Sequence, residues 1–183
     1  MLRVGVLASG FGSNLGALLD AGVDVVAVGS DQADAFALQR ARERGLPTEV
    51  FARADHPHRT ARDAAMAAWL AAQGVELVVL AGYMQLLTPG FLDRFPERVV
   101  NVHPSLLPAF PGLDAVGQAL AYGVKVFGVT VHFVDEGVDT GRIIAQRAVE
   151  LPDATTRDDV MAAIRPLEHE LLTGVVRSIT SRP

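Results

Sequence analysis

From the first residues onward, short apolar runs alternate with amphipathic helical segments, and no other feature constrains the fold as tightly. Residues 2–8 read as a strand, 14–21 as a helix, 23–29 as a second strand and 33–44 as a second helix. A short third strand fits 48–51, and 58–73 is an Ala-rich helix with Trp69 turned inward. The strand at 75–81 carries no polar side chain after Glu76, the mark of a strand covered on both faces. Strands separated by helices pair in parallel through right-handed crossovers, so the first half is predicted to be Rossmann-like.

The pattern changes after Ala81. A loop over 83–90 leads into a short helix, and 98–103 forms the next strand. A Pro/Gly-rich passage over 104–112 precedes a short helix at 115–122. Two extended runs follow, 124–134 and 142–149, with no helix-length segment between them, so an antiparallel pair is predicted. The chain closes on a long helix whose apolar stripe is Val160, Ile164, Leu167, Leu171 and Val175. Pro166 is predicted to kink or restart that helix. With no repeat, linker or low-complexity segment, residues 1–183 read as a single domain.

Composition narrows the partners. The net charge is −5 and no Lys/Arg cluster is present, so a small molecule is favoured over nucleic acid. With no cysteine there is neither disulfide nor thiolate chemistry. No apolar run is long enough to span a membrane, and the N-terminus lacks a signal peptide's layout, so the cytoplasm is the expected compartment.

Asn101-Val102-His103-Pro104-Ser105-Leu106-Leu107-Pro108 carries the strongest chemical signal. Alternate side chains of a strand share a face, so Asn101 and His103 point the same way. Pro104 forces His103 out of the helical region, which ends the strand there. An amide and an imidazole then stand together at a strand's carboxyl end, where open α/β sheets place their chemistry. The plain alternative is a buried His bonded to backbone beside an Asn that ends a strand. Asp139, in the acidic loop after the next long strand, is either a solvated turn carboxylate or a partner for His103. A carboxylate beside an imidazole favours the imidazolium, which can face a developing oxyanion.

Ser9-Gly10-Phe11-Gly12-Ser13-Asn14 opens the first helix, whose N-terminal amides suit an anion. Equally, the loop is a tight turn with Ser13 as helix cap. A dinucleotide fingerprint would need glycine at position 15, which is Leu, although Asp31 stands at a plausible distance for its ribose-binding acid. His132 reads as a structural histidine, and His56 and His58 as surface residues. No His/Asp/Glu spacing matches a metal site.

Taken in order, Ser9-Gly10-x-Gly12-Ser13-Asn14, Ala81-Gly82-Tyr83-Met84, the 101–108 motif and His132-Phe133-Val134-x-x-x-x-Asp139-x-Gly141 closely resemble the phosphoribosylglycinamide formyltransferase family. The resemblance implies a Rossmann-like formyltransferase fold: a mostly parallel twisted sheet, helices on both faces and an antiparallel C-terminal strand pair. It implies transfer of a formyl group from the co-substrate 10-formyltetrahydrofolate to 5′-phosphoribosylglycinamide, without a metal, by a monomer or homodimer. Asn101, His103 and Asp139 would be catalytic. Gly12, Ser13 and Asn14 would hold the substrate phosphate, and Glu168 its ribose. Arg59, Met84, Gln85, Leu86, Leu87 and Asn101 would meet the folate. Gln85 stands where Arg is frequent among members, Asp114 where His is common and Arg165 where Gln is common; the last two stay outside the binding set.

Three other readings compete. Formyltetrahydrofolate hydrolase resembles the same fold and site but usually carries an extra N-terminal domain, whereas this sequence starts at the first strand. Methionyl-tRNA formyltransferase adds a C-terminal domain for tRNA. A non-catalytic dinucleotide-binding module is the alternative from another class.

Overall fold

In the computed structural model, which describes residues 1–181, a seven-stranded sheet runs in the order β3-β2-β1-β4-β5-β6-β7. Its strands are β1 (Val4–Leu7), β2 (Val25–Ser30), β3 (Thr48–Val50), β4 (Leu77–Leu80), β5 (Val99–His103), β6 (Val126–Phe133) and β7 (Ile143–Glu150). The first five pair in parallel; β5–β6 and β6–β7 are antiparallel. The helices are α1 (Ser13–Asp20), α2 (Phe36–Glu43), α3 (Arg59–Ala72), α4 (Pro89–Leu92), α5 (Ala115–Tyr122) and α6 (Arg157–Thr180). The parallel half and the antiparallel pair thus follow the sequence periodicity, with the elements trimmed at their ends.

Each buried strand feeds two cores because its side chains alternate. Leu77 and Val79 of β4 join a core with α1, α2, α5 and α6, whereas Val78 and Leu80 join a second core with Met66 and Leu70 of α3 and Phe91 of α4. Helices therefore cover both faces. β1 lies between β2 and β4, so the chain leaves β1 in one direction and returns from the other. The carboxyl ends of β1 and β4 flank that switch point, where open α/β sheets bind ligands.

Two local expectations are corrected. Ser13 does not cap α1: the cap position is Gly12, in the left-handed region at φ 73°, and no side chain caps the helix. Pro166 does not restart α6, which continues through it to Thr180. Pro166 lies on the solvent side, while Ile164, Leu171, Leu172 and Val175 hold the helix to the core. The missing N–H therefore costs a bond on the solvent side of the helix, where the freed carbonyl is open to water.

Candidate active site

Asn101 and His103 do share a face of β5, and the antiparallel register sets His132 of β6 directly opposite Asn101. The turn after β5 is pinned from below. Thr130 Oγ1 donates to the Ser105 carbonyl at 2.7 Å and accepts the Leu107 N–H at 3.1 Å. Gln146 Nε2 reaches the Leu107 carbonyl at 2.9 Å. His103 therefore ends its strand on a fixed support.

Asp139 gathers the three polar side chains. Its Oδ2 lies 3.3 Å from His103 Nδ1, and its Oδ1 lies 3.5 Å from His132 Nε2 and 3.4 Å from Asn101 Nδ2. The Gly112 N–H donates to Oδ2 at 2.8 Å. Asp139 itself has φ 55°, and Phe110 (φ 54°) and Asp114 (φ 57°) in the neighbouring loop share that left-handed strain. Such residues persist only where the surroundings over-determine them.

Each imidazole has one nitrogen already assigned. His103 Nε2 lies 2.8 Å from the Phe110 carbonyl, and His132 Nδ1 lies 2.8 Å from the Phe133 carbonyl. A carbonyl only accepts, so those nitrogens carry hydrogen. Of the remaining nitrogens, His103 Nδ1 faces Asp139 Oδ2, while His132 Nε2 lies between Asn101 Nδ2 at 3.3 Å and Asp139 Oδ1 at 3.5 Å. A lone pair on His103 Nδ1 would repel the carboxylate, whereas an N–H there donates to it; a lone pair on His132 Nε2 would instead accept the Asn101 amide. Burial would raise the Asp139 carboxyl, but the His132 hydrogen bond, the Gly112 N–H and the two imidazoles hold it below the usual carboxylate range. The sequence alone reads His132 as structural, and the geometry places it in the cluster. Its alternation with Thr130 gives the face, but only the β5–β6 register reveals what stands opposite.

Two cavities meet at this cluster, and a third adjoins them along the 84–86 segment. One of about 500 Å3 runs from Asn101, His103 and Asp139 past Met84, Leu86, Leu113 and Val138. Those four apolar side chains are exposed, as suits a wall for a flat apolar ligand. A narrower cavity behind it is lined by Leu87, Val134 and the 135–139 loop. Gln85 and Leu86 border a third, of about 650 Å3, whose rim carries Arg53, His56, His58 and Arg59. Neither Arg53 nor Arg59 pairs with a carboxylate among the described residues.

At the other end of the site, the Gly12 loop is held by neighbours. Phe11 stacks on Phe36 at 5.4 Å, and Arg40 lies over both rings and donates to the Phe11 carbonyl. A Cβ on Gly12 would stand 2.8 Å from the Ala37 backbone. The loop thus requires glycine for space as well as for φ. The Asn14 side chain turns inward, beside Glu168 of α6, with its Oδ1 left without a partner. What α1 offers outward is backbone N–H.

The formyl transferase family model matches residues 2–176. A phosphoribosylglycinamide formyltransferase from Mycobacterium tuberculosis is 47% identical over 98% of this chain and 85% of its own length, and one from Bacillus subtilis is 40% identical over 98% and 95%. The crystal structure of glycinamide ribonucleotide transformylase 1 from Symbiobacterium toebii superposes with TM-score 0.94 at 50% identity, covering 97% of this chain and 86% of that one. The chain belongs to the phosphoribosylglycinamide formyltransferase family.

Gln85 and Asp114, singled out in the sequence, both have local partners here. Gln85 uses its side-chain amide inside the protein, donating to Asp31 at 3.1 Å and accepting from Arg62 at 3.3 Å. Asp114 caps α5 and pairs with Arg157 at the start of α6. Asp31, the acid of the dinucleotide reading, is buried and bonded to Ser9, Gln32 and Gln85, so it is not offered to a ribose. That corrects the dinucleotide alternative, and family membership favours formyl transfer over it.

Proposed function

We propose that this chain transfers the formyl group of 10-formyltetrahydrofolate to the amine of 5′-phosphoribosylglycinamide. The observation that carries the reading is the convergence of Asn101, His103 and His132 on Asp139 at the mouth of an apolar-walled cavity. Met84, Leu86 and Leu87 supply apolar surface for the pterin and benzoyl rings, with Gln85 contributing backbone. Arg59 and Arg53, free of carboxylate partners among the described residues, suit the folate's carboxylates. The amides after Gly12, through Ser13 and Asn14, take the phosphate. Glu168, beside Asn14, takes the ribose.

In the reaction the amine attacks the formyl carbon and the carbonyl oxygen becomes an oxyanion. Asn101 Nδ2 and His103 Nδ1 are the donors it meets. Both now lie at 3.3 to 3.4 Å from Asp139, longer than strong charge-assisted bonds. Apo catalytic hydrogen bonds are commonly slack and tighten around the reacting group. Each oxyanion donor contributes roughly 3 kcal/mol. Asp139 accepts the proton from the attacking amine and passes it, through water, toward the folate N10. The formyl group is already activated on N10, so this chemistry asks for no metal.

A small-molecule reaction of this kind belongs in the cytoplasm; no helix among the described residues is long and apolar enough to cross a membrane. The test is acceptor dependence: tetrahydrofolate should form from 10-formyltetrahydrofolate only when 5′-phosphoribosylglycinamide is added. Equal turnover without acceptor would instead indicate a hydrolase.

A further inference from the structure

The mechanism leaves the buried acids Asp31 and Asp63 unused, and Asp31 lies closer to both reactant loops. Asp31 follows β2 and is 6% exposed. Its Oδ1 accepts the Ser9 hydroxyl at 2.6 Å, and its Oδ2 accepts Gln32 Nε2 at 2.9 Å and Gln85 Nε2 at 3.1 Å. A serine hydroxyl has one hydrogen to give. Since Asp31 takes it, the Ser9 oxygen is left to accept, and it receives the Met84 N–H at 2.9 Å.

The chain of bonds continues past Gln85. Its Oε1 accepts from Arg62, which is buried and paired with Asp63 at 2.8 Å. Asp63 Oδ2 in turn accepts the Thr88 N–H at 2.8 Å. The 84–88 segment is thus fastened at Met84 through Ser9, at Gln85 through Asp31 and at Thr88 through Asp63. Ser9 is also the residue from which the Gly10-Phe11-Gly12 loop departs. One carboxylate therefore ties the loop after β1 to the loop after β4.

We propose that Asp31 is a positioning residue that holds the ribonucleotide loop and the folate loop in one fixed relation. This rests on the formyl-transfer reading, in which those loops carry the two reactants. Reacting atoms must meet within a few tenths of an ångström, and a displacement of about 1 Å can cost roughly 100-fold in rate. Asp31 touches neither reactant; it acts through Ser9 and Gln85. Its signature is a loss of turnover with both ligands together while each ligand alone still binds.

The polarity of the network supplies the test. In D31N an amide N–H2 faces Gln85 Nε2, donor against donor. In Q85E two carboxylates face each other. In D31N/Q85E a donor again faces an acceptor: the amide introduced at position 31 donates to the carboxylate introduced at position 85, which also accepts from Arg62. kcat/KM for transfer and the separate dissociation constants for 5′-phosphoribosylglycinamide and a non-reactive folate analogue are measured in all four proteins. Each single substitution should lower kcat by about 10-fold or more, with D31N holding both dissociation constants within about 3-fold. The double variant should turn over at least about 10-fold faster than the poorer single.

Singles that leave kcat within about 2-fold of wild type, or a double whose losses simply multiply, would overturn the proposal. If D31N fails to fold, S9A decides: unchanged kcat overturns it and a loss of about 10-fold with intact ligand binding supports it. A wild-type protein that shows no acceptor-dependent transfer would defeat the formyl-transfer reading itself, a different result from inert substitutions in an active enzyme.

Discussion

His132 Nε2 stands 3.5 Å from Asp139 Oδ1, on the far side of the carboxylate from His103. The carboxylate is therefore shared between two imidazoles, each oriented by a backbone carbonyl on its other nitrogen. This double support distinguishes the cluster from a simple His–Asp pair.

The first prediction concerns that support. Burial raises the Asp139 carboxyl, and the His132 bond is the foremost of the influences that bring it down. Deleting that bond in His132→Ala should move the Asp139 titration to higher pH, away from its depressed wild-type position. The measurement is the Asp139 carboxyl resonance followed by NMR across acid pH. kcat should fall about 10-fold, the scale of one charge-assisted hydrogen bond. A titration that stays in place would remove His132 from the cluster's electrostatics.

A second prediction tests whether the cluster acts as a unit. His103→Ala and Asp139→Asn should each lower kcat by roughly 100-fold or more. The double substitution should be little worse than the poorer single, as for coupled catalytic groups. Losses that multiply would mean independent roles.

Gly12 is both sterically and conformationally constrained, which sharpens the third prediction. Gly12→Ala places a methyl 2.7 Å from Ala37 Cβ at a φ of 73°. The fold should lose about 1–3 kcal/mol of stability to strain, read as a lower thermal midpoint. KM for the ribonucleotide should rise strongly while that for folate stays within about 2-fold. A destabilised protein with unchanged ribonucleotide KM would make the loop a turn and nothing more.

Glu168 yields a prediction with opposite signs for stability and function. Burial raises its carboxyl, opposed by the Asn14 amide and Arg165. An acid whose native pKa lies above its unfolded value destabilises the fold once pH rises through that window. Glu168→Gln should therefore be the more stable protein at neutral pH. The advantage should vanish below about pH 3, well under the unfolded value of about 4.3, where the group is protonated in both states. If Glu168 meets the ribose, the ribonucleotide KM should rise in the same variant. Denaturant titrations at the two pH values and steady-state kinetics check both halves.

Much of this architecture is legible because burial writes periodicity into sequence. The unbroken apolar stretch of β4 announces a strand covered on both faces, and Asn101 and His103 announce a shared face at a strand end. What stays hidden depends on distant pairing. His132 looks like a core residue because no local signal says that β6 returns antiparallel with His132 opposite Asn101. Asp31 stands at the spacing of a ribose-binding acid, yet Ser9 and Gln85 converge on it from the loops after β1 and β4. Ser13 looks like a cap because cap preference is a side-chain property, while the left-handed turn at Gly12, packed where a Cβ would strike Ala37, is visible only in the fold. Pro166 looks like a break because its solvent-facing position and the core grip of its neighbours are tertiary facts.

The central claim is that Asn101, His103 and Asp139 direct a formyl group to an amine rather than to water. Its most direct test is the fate of isotopically labelled formyl from 10-formyltetrahydrofolate in the presence of 5′-phosphoribosylglycinamide. The label should be recovered in the ribonucleotide, one for each tetrahydrofolate formed, with both products lost together in His103→Ala. Label recovered as formate, or transfer that persists at near-normal rate in a folded His103→Ala protein, would contradict the account.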